Sequence, residues 1–351
     1  MTTVTVYRST DTSAPSLTGQ VGSLTSLLNS CLVVGYGSQP AAGWSSAYSS
    51  SYHQVYRNST TDGTGFYLNV DDSGSGSGSS REALMTGFQS ATGVGTGTGQ
   101  FPTSSQLSIG IGAVVCRKSN TADSTVRSWT LIADDTVFYL FTESGDYNSP
   151  TLTSLFMFGD FFSYAPNDSY RCMIIGRNAT NTSNSSSEWV PFSNGPYNGP
   201  GPFMTYSLCG HFIAASYTGV GGSIIFGKHI DLTKSGHVGI PSYSGTSSTV
   251  ISNAYPIGGN DNPSYNLVYP NPADSGLYLS PIWIHHSGIL RGYFKGLWGP
   301  VQAAPLSHND TFSGTNNLAG KSFLAQYIMS NYSGGSGGIC EFMVETSSTW
   351  S

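Results

Sequence analysis

Two adjacent carboxylate pairs, Asp71-Asp72 and Asp134-Asp135, are the residues best suited by type to acid–base work or to holding a cation. Acid–base chemistry needs both carboxylates on one substrate, but neighbours on a strand point to opposite faces. Neither pair is therefore a dyad by itself. Each lies beside an aromatic strand pattern, so both read as Asx caps of turns at strand ends. A Ca²⁺ site there would need a loop carbonyl to converge on them. Asp72 with Asp135 is the one pair worth testing across a groove, as in a depolymerase, and no activity is expected from it.

The seven histidines are His53, His211, His229, His237, His285, His286 and His308. None has H-E-x-x-H or H-x-H spacing, so no metal site is expected. Gly334-Gly-Ser336-Gly-Gly338 matches G-x-S-x-G formally. A nucleophile elbow needs a buried strand before the serine and a helix after it, and the flanks here read as a hairpin loop. N-x-S/T matches such as Asn58-Ser-Thr60 arise by chance in so Asn-, Ser- and Thr-rich a chain. Loop aromatics, Trp44 with Tyr48, Trp189 with Phe192, and Tyr197, can stack on sugars or pack at a subunit interface. No phosphate loop, dinucleotide fingerprint or nucleophile–base set emerges, and no catalytic residue, cofactor or metal is assigned.

These side chains sit in a chain of 351 residues with 44 Gly and 17 Pro, which implies many turns and little helix. Charged residues make up 9%, against roughly 25% in an average soluble chain. The surface must then be polar through Ser, Thr, Asn and Tyr rather than through charge. Six Trp, 21 Tyr and 17 Phe argue against disorder. The formal net charge of −6 and the lack of a Lys/Arg cluster argue against a nucleic-acid partner. No run of some 18 apolar residues is present, so no membrane insertion is expected. The start of the chain lacks the pattern of a signal peptide. Cys31, Cys116, Cys172, Cys209 and Cys340 are odd in number and widely spaced. They read as buried thiols of a protein made in a reducing cytoplasm.

The elements that position these residues are mostly strands. Residues 2–7 alternate as an opening strand. Leu17, Val21, Leu24, Leu27, Leu28 and Cys31 follow helical spacing and predict one short helix over about 20–31, packed on a sheet. Strands are expected at 55–57, 66–70, 109–116, 129–133, 137–141, 155–158 and 170–175. Residues 73–80, 93–99 and 178–187 read as loops. The Gly/Pro-rich segment 195–202 marks a boundary between a β-rich part over 1–194, which holds the helix, and a second over 203–351. The fold class is all-β, with two sandwich- or barrel-like parts.

Several segments carry a wider pattern: 11–19, 35–44, Gly97-Thr-Gly99-Gln-Phe101-Pro102-Thr103, Phe158-Gly159-Asp160-Phe161, Arg291-Gly292-Tyr293-Phe294-Lys295-Gly296-Leu297-Trp298, and Phe323-Leu324 with a terminal Trp350. In this order the chain resembles a family of tailed-bacteriophage virion structural proteins, over most of its length. The resemblance implies a non-enzymatic tail, baseplate or tail-fibre component in the virion, assembled in the bacterial cytoplasm. It brings no catalytic residue. Its partners would be other virion proteins and copies of itself, since oligomer interfaces are rich in Tyr, Trp and Phe. Residues 17–28, with Leu17, Leu24 and Leu28, are the expected docking element. Segment 292–298, ending at Trp298, is the expected anchor. The rival readings are a capsid decoration protein and a receptor module for host polysaccharide using Trp44, Tyr48, Trp189 or Tyr197.

Overall fold

The computed structural model describes residues 3–77, 79–104, 112–145, 153–176, 209–213, 223–227, 249–253, 276–286, 289–300, 306–330 and 338–350. The protein is all-β, and the described residues hold one short α-helix, α1 (Ser23–Leu28). The apolar stripe ends in a wider π-helical turn over Asn29–Val34 rather than stopping at residue 31. Leu24, Leu27, Leu28, Cys31 and Leu32 are all buried along it, which is the sheet packing the spacing predicts.

Strands β1 (Thr5–Arg8), β2 (Ser45–Ser50), β3 (His53–Arg57), β4 (Tyr67–Asp71), β5 (Glu82–Phe88), β6 (Ser90–Gly93), β7 (Thr96–Thr98) and β8 (Val114–Arg117) open the chain. They are followed by β9 (Trp129–Ala133), β10 (Val137–Glu143), β11 (Thr153–Asp160), β12 (Phe162–Ser163) and β13 (Cys172–Ile175). Then come β14 (Cys209–Ile213), β15 (Ser223–Gly227), β16 (Thr249–Asn253), β17 (Leu279–His286), β18 (Ile289–Pro300), β19 (Thr311–Ser313), β20 (Ser322–Ser330) and β21 (Gly338–Glu345).

A five-stranded antiparallel sheet runs β2-β3-β4-β5-β8. A larger sheet runs β1-β9-β10-β11-β20-β21-β18-β17-β16, with β12, β13, β14, β15 and β19 attached beside that path. The strip β9-β10-β11-β13 is the middle layer. Leu131, Ala133, Phe138, Leu140, Phe156, Phe158 and Ile174 face the five-stranded sheet and α1. Ile132, Tyr139, Phe141, Leu155, Met157, Met173 and Ile175 face the opposite way, onto Ile282, Phe294, Leu297, Leu324, Phe342 and Val344. This two-sided burial explains why these strands read as unbroken apolar runs and not as alternating ones.

Residues 195–202 and 178–187 lie outside the described residues. Strands from the two sides of 195–202 share the larger sheet and the second apolar cluster. Residues 93–99, expected as a loop, instead belong to the β6–β7 hairpin, whose base is closed by Gln89 N–H donating to Thr98 O at 3.1 Å. Cys31, Cys116 and Cys172 are buried as thiols. The side chains of Cys209 and Cys340 lie outside the described residues. No helix among the described residues is long and apolar enough to cross a membrane.

Candidate functional site

An exposed aromatic platform stands where β12 pairs with β18. Phe162 stacks on Tyr293, its register partner, at 4.7 Å between ring centroids and 26° between planes. Tyr164 meets Phe162 edge-on at 5.3 Å and lies 6.0 Å from Tyr293. Phe162 is 39% exposed and Tyr164 49%. The close strand approach requires Gly292, because a Cβ there would sit 1.7 Å from Phe162 O.

Beneath the rings, Arg291 Nε and Nη2 donate to the two carboxylate oxygens of Asp168, both at 2.8 Å. Ser163 Oγ donates to Asp168 Oδ2 at 2.7 Å, and Tyr164 N–H donates to Arg291 O at 2.7 Å. Arg291 also lies over the Phe161 ring at 5.0 Å. Burial pushes the Asp168 carboxyl up, but the Arg291 hydrogen bonds and charge outweigh it and hold the group below its usual range. Burial and the neighbouring Tyr164 and Glu345 raise Tyr293, so it stays a neutral phenol. The platform thus presents uncharged ring faces and hydroxyls on a rigid base. Such a surface packs on an apolar partner or stacks on a sugar ring.

A second exposed feature is β2, the edge of the five-stranded sheet. All six residues, Ser-Ser-Ala-Tyr-Ser-Ser, are exposed, and none is charged. A register shift between Ser46 and Tyr48 is its one irregularity. Charged side chains, Pro and bulges are the usual guards of a sheet edge; β2 has no charge and no Pro, and only the register shift interrupts it.

The expected interface residues divide sharply. Leu17, Leu24 and Leu28 are fully buried, so they are core and not a docking surface. Trp44 is 4% exposed, packs edge-on against Phe138 and donates its indole N–H to Asp134 O at 2.8 Å. It cannot serve as a sugar platform in this fold. Tyr48 is exposed on β2. Trp298 is half-buried, edge-on to Phe323, with its indole N–H 3.3 Å from Glu345 Oε2. Trp189, Phe192, Tyr197 and residues 334–337 lie outside the described residues.

The Asp pairs do cap turns, and one member does more. Asp71 Oδ1 accepts from Ser73 N–H at 3.0 Å, and Asp134 Oδ1 accepts from Thr136 and Val137 N–H at 2.7 and 2.8 Å. Asp72 instead reaches across the chain to accept from Leu24 N–H at 2.8 Å, and it pairs with Lys118. Among the described residues no group of three or more His, Cys, Asp or Glu is placed to hold a metal ion.

Sequence reasoning missed the interior charges. Arg117 pairs with Glu82 at 2.9 Å with both side chains closed to solvent. Asp160 is buried where Asn58, Thr64 and Arg171 meet. Burial pushes its carboxyl up to about 6, against the pull of Thr64, Lys295 and Arg171. The available signal was a charge inside or at the end of an apolar run, Asp160 in Phe158-Gly159-Asp160-Phe161 and Arg117 with Lys118 in Val115-Cys116-Arg117-Lys118. A charge placed so is buried and must be paired.

In comparisons with known proteins, no family model matches the chain and no curated protein matches it.

Proposed function

We propose that the chain is a non-enzymatic structural component of a bacteriophage virion, associated with the tail, baseplate or tail fibre, and that it works through interfaces between copies of itself and with other virion proteins. The observation that carries this reading is where the charge goes. In a chain with only 13 Lys and Arg, the Arg117, Lys118 and Arg291 side chains are buried on carboxylates. The charge left outside is sparse, and beside it stand a β2 edge without a charged residue or Pro and an aromatic platform at β12. Sparse charge, a hydroxyl-rich face and exposed Tyr and Phe suit permanent assembly, where interface cores are depleted of charge and enriched in aromatics. The resemblance of segments such as 291–298 to tailed-phage virion proteins supports the same reading. The proposal assigns no catalytic residue, cofactor, nucleic-acid partner or membrane insertion. Purified particles should retain the chain through high-salt washing, because uncharged contacts are little screened. Loss of the chain from washed particles would count against the proposal.

A second reading is favoured by one observation, the Phe162–Tyr164–Tyr293 platform. A receptor module for host polysaccharide would use these rings in place of the buried Trp44. Saturable binding of host polysaccharide that disappears in the Phe162→Ala, Tyr164→Ala double variant would select this reading. Absence of binding by the intact chain would remove it. A capsid decoration role would make the same uncharged surface bind a capsid lattice, and copy number separates it from a tail role.

A further inference from the structure

We propose that Lys118 and Asp72 are joined by an intramolecular amide bond, formed by spontaneous condensation of the two side chains in the folded protein. The inference is independent of the virion reading.

The topology brings the two residues together. β4 and β8 flank β5 on either side, each antiparallel to it, so both end at the same margin of the sheet. Asp72 follows the last residue of β4 and Lys118 the last residue of β8. Lys118 is also fixed by its backbone N–H, which donates to Arg81 O at 2.9 Å. The two side chains meet across the start of β5, below α1. Both are 0% exposed.

The hydrogen-bond inventory fits an amide better than an ion pair. Lys118 Nζ contacts Asp72 Oδ1 and donates to Gln20 O at 2.6 Å. Asp72 Oδ2 accepts from Leu24 N–H at 2.8 Å and from Thr25 N–H at 3.4 Å. An ammonium brings three N–H groups to two acceptors in a place without solvent. A secondary amide brings one, which Gln20 O accepts, and its carbonyl oxygen takes the place of Oδ2 against Leu24 and Thr25. Condensation leaves no charge to be buried and no donor to spare. Burial drives both groups toward the neutral forms the step consumes, raising Asp72 and lowering Lys118 against their mutual attraction.

The step balances within the pair. The neutral Nζ attacks Cγ of the protonated Asp72. Charge developing on Oδ2 lies against the Leu24 and Thr25 N–H groups, as donors stabilise an oxyanion in acyl transfer. The Nζ–Cγ bond forms and the Cγ–Oδ1 bond breaks. Oδ1 departs as water with the carboxyl proton and one proton from nitrogen, and no further reactant is needed. The other closed pairs, Arg117–Glu82 and Arg291–Asp168, cannot follow this course, because a guanidinium stays protonated. Lys321 meets Glu345 with its own side chain partly in solvent.

The test is the mass of the purified full-length chain, followed by a tryptic map. The expected result is a mass one water below that of the sequence. In the map, peptide 58–81, which holds Asp72, should be joined to peptide 118–127 as one branched species, with no cleavage after Lys118. A Lys118→Arg variant, which keeps the charge but cannot condense, should show its full sequence mass and two separate peptides. A wild-type mass equal to that of the sequence would overturn the proposal. So would a water loss confined to peptide 58–81 alone, which is what a cyclic imide at Asp62-Gly63 would give.

Discussion

Arg291 and Asp168 stand 123 residues apart in the chain and form a bidentate pair, both bonds at 2.8 Å, sealed from solvent beneath the exposed rings of Phe162 and Tyr164. The pair ties the turn after β12 to the start of β18, and so ties strands before the Gly/Pro-rich segment 195–202 to strands after it. Breaking a buried pair by removing one partner costs about 3–5 kcal/mol. Asp168→Asn should lower stability by that order in urea denaturation. An Asp168→Asn variant as stable as wild type would show that the guanidinium finds another partner.

The Asp160 carboxyl is pushed up to about 6 by burial, from an ordinary value of 3.8. Between these values the folded protein holds a proton that the unfolded chain releases. The contribution is therefore complete below about pH 4 and is lost as pH rises through about 6. The shift is worth about 3 kcal/mol at 1.36 kcal/mol per unit. The stability of wild type minus that of Asp160→Asn should fall by that amount between pH 4 and pH 6.5, then level off. A difference that rises with pH would place Arg171 and Lys295 in control of this carboxylate instead of burial.

Trp298 packs edge-on to Phe323 at 6.2 Å, with Lys321 Nζ 5.8 Å from its ring centroid. It is half-buried, so Trp298→Ala should cost about 2 kcal/mol, less than the 3–5 of a fully buried aromatic. Thermal denaturation and particle incorporation should both report the loss. Two residues earlier, Gly296 has φ +66° and a Cβ there would lie 2.2 Å from Trp350 Nε1, so Gly296→Ala should be at least as damaging. Unchanged stability and particle yield in Trp298→Ala would remove segment 292–298 as an anchor.

The β2 edge predicts an effect on assembly without an effect on folding. Ala47→Lys adds a charge to an exposed, uncharged strand, which is how natural sheets block edge pairing. Light scattering should show a smaller assembly with an unchanged β-sheet circular dichroism spectrum. The same oligomer in the variant would move the self-association surface elsewhere, with the β12 platform the next to test.

The strands were legible because the middle layer is buried on both faces. Trp129–Ala133 and Val137–Glu143 are crowded with β-branched and aromatic residues that a loop would not carry. The helix was legible from Leu24, Leu27, Leu28 and Cys31, but its ends were not. Its first N–H groups are capped by Asp72, 48 residues away, so no local Ser, Thr or Asp cap marks the start. The β6–β7 hairpin looked like a loop because Gly and Thr carry no apolar alternation, and its strands are set by the backbone pairing. The aromatic platform was hidden for another reason. Phe162 and the buried Phe161 are the same residue type one position apart, and only the pairing with β18 decides which faces out. Conversely, Trp44 looked like a surface ring because Gly and Ser surround it, yet its indole finds the Asp134 carbonyl in the core.

Copy number per purified particle, measured by quantitative mass spectrometry against the major capsid protein, decides whether the chain is a structural part of a virion tail. A tail component should be present in a small fixed number of copies, matching one or a few rings or trimers. A ratio near that of the capsid protein would move it from the tail to capsid decoration, and absence from particles would rule out a virion role.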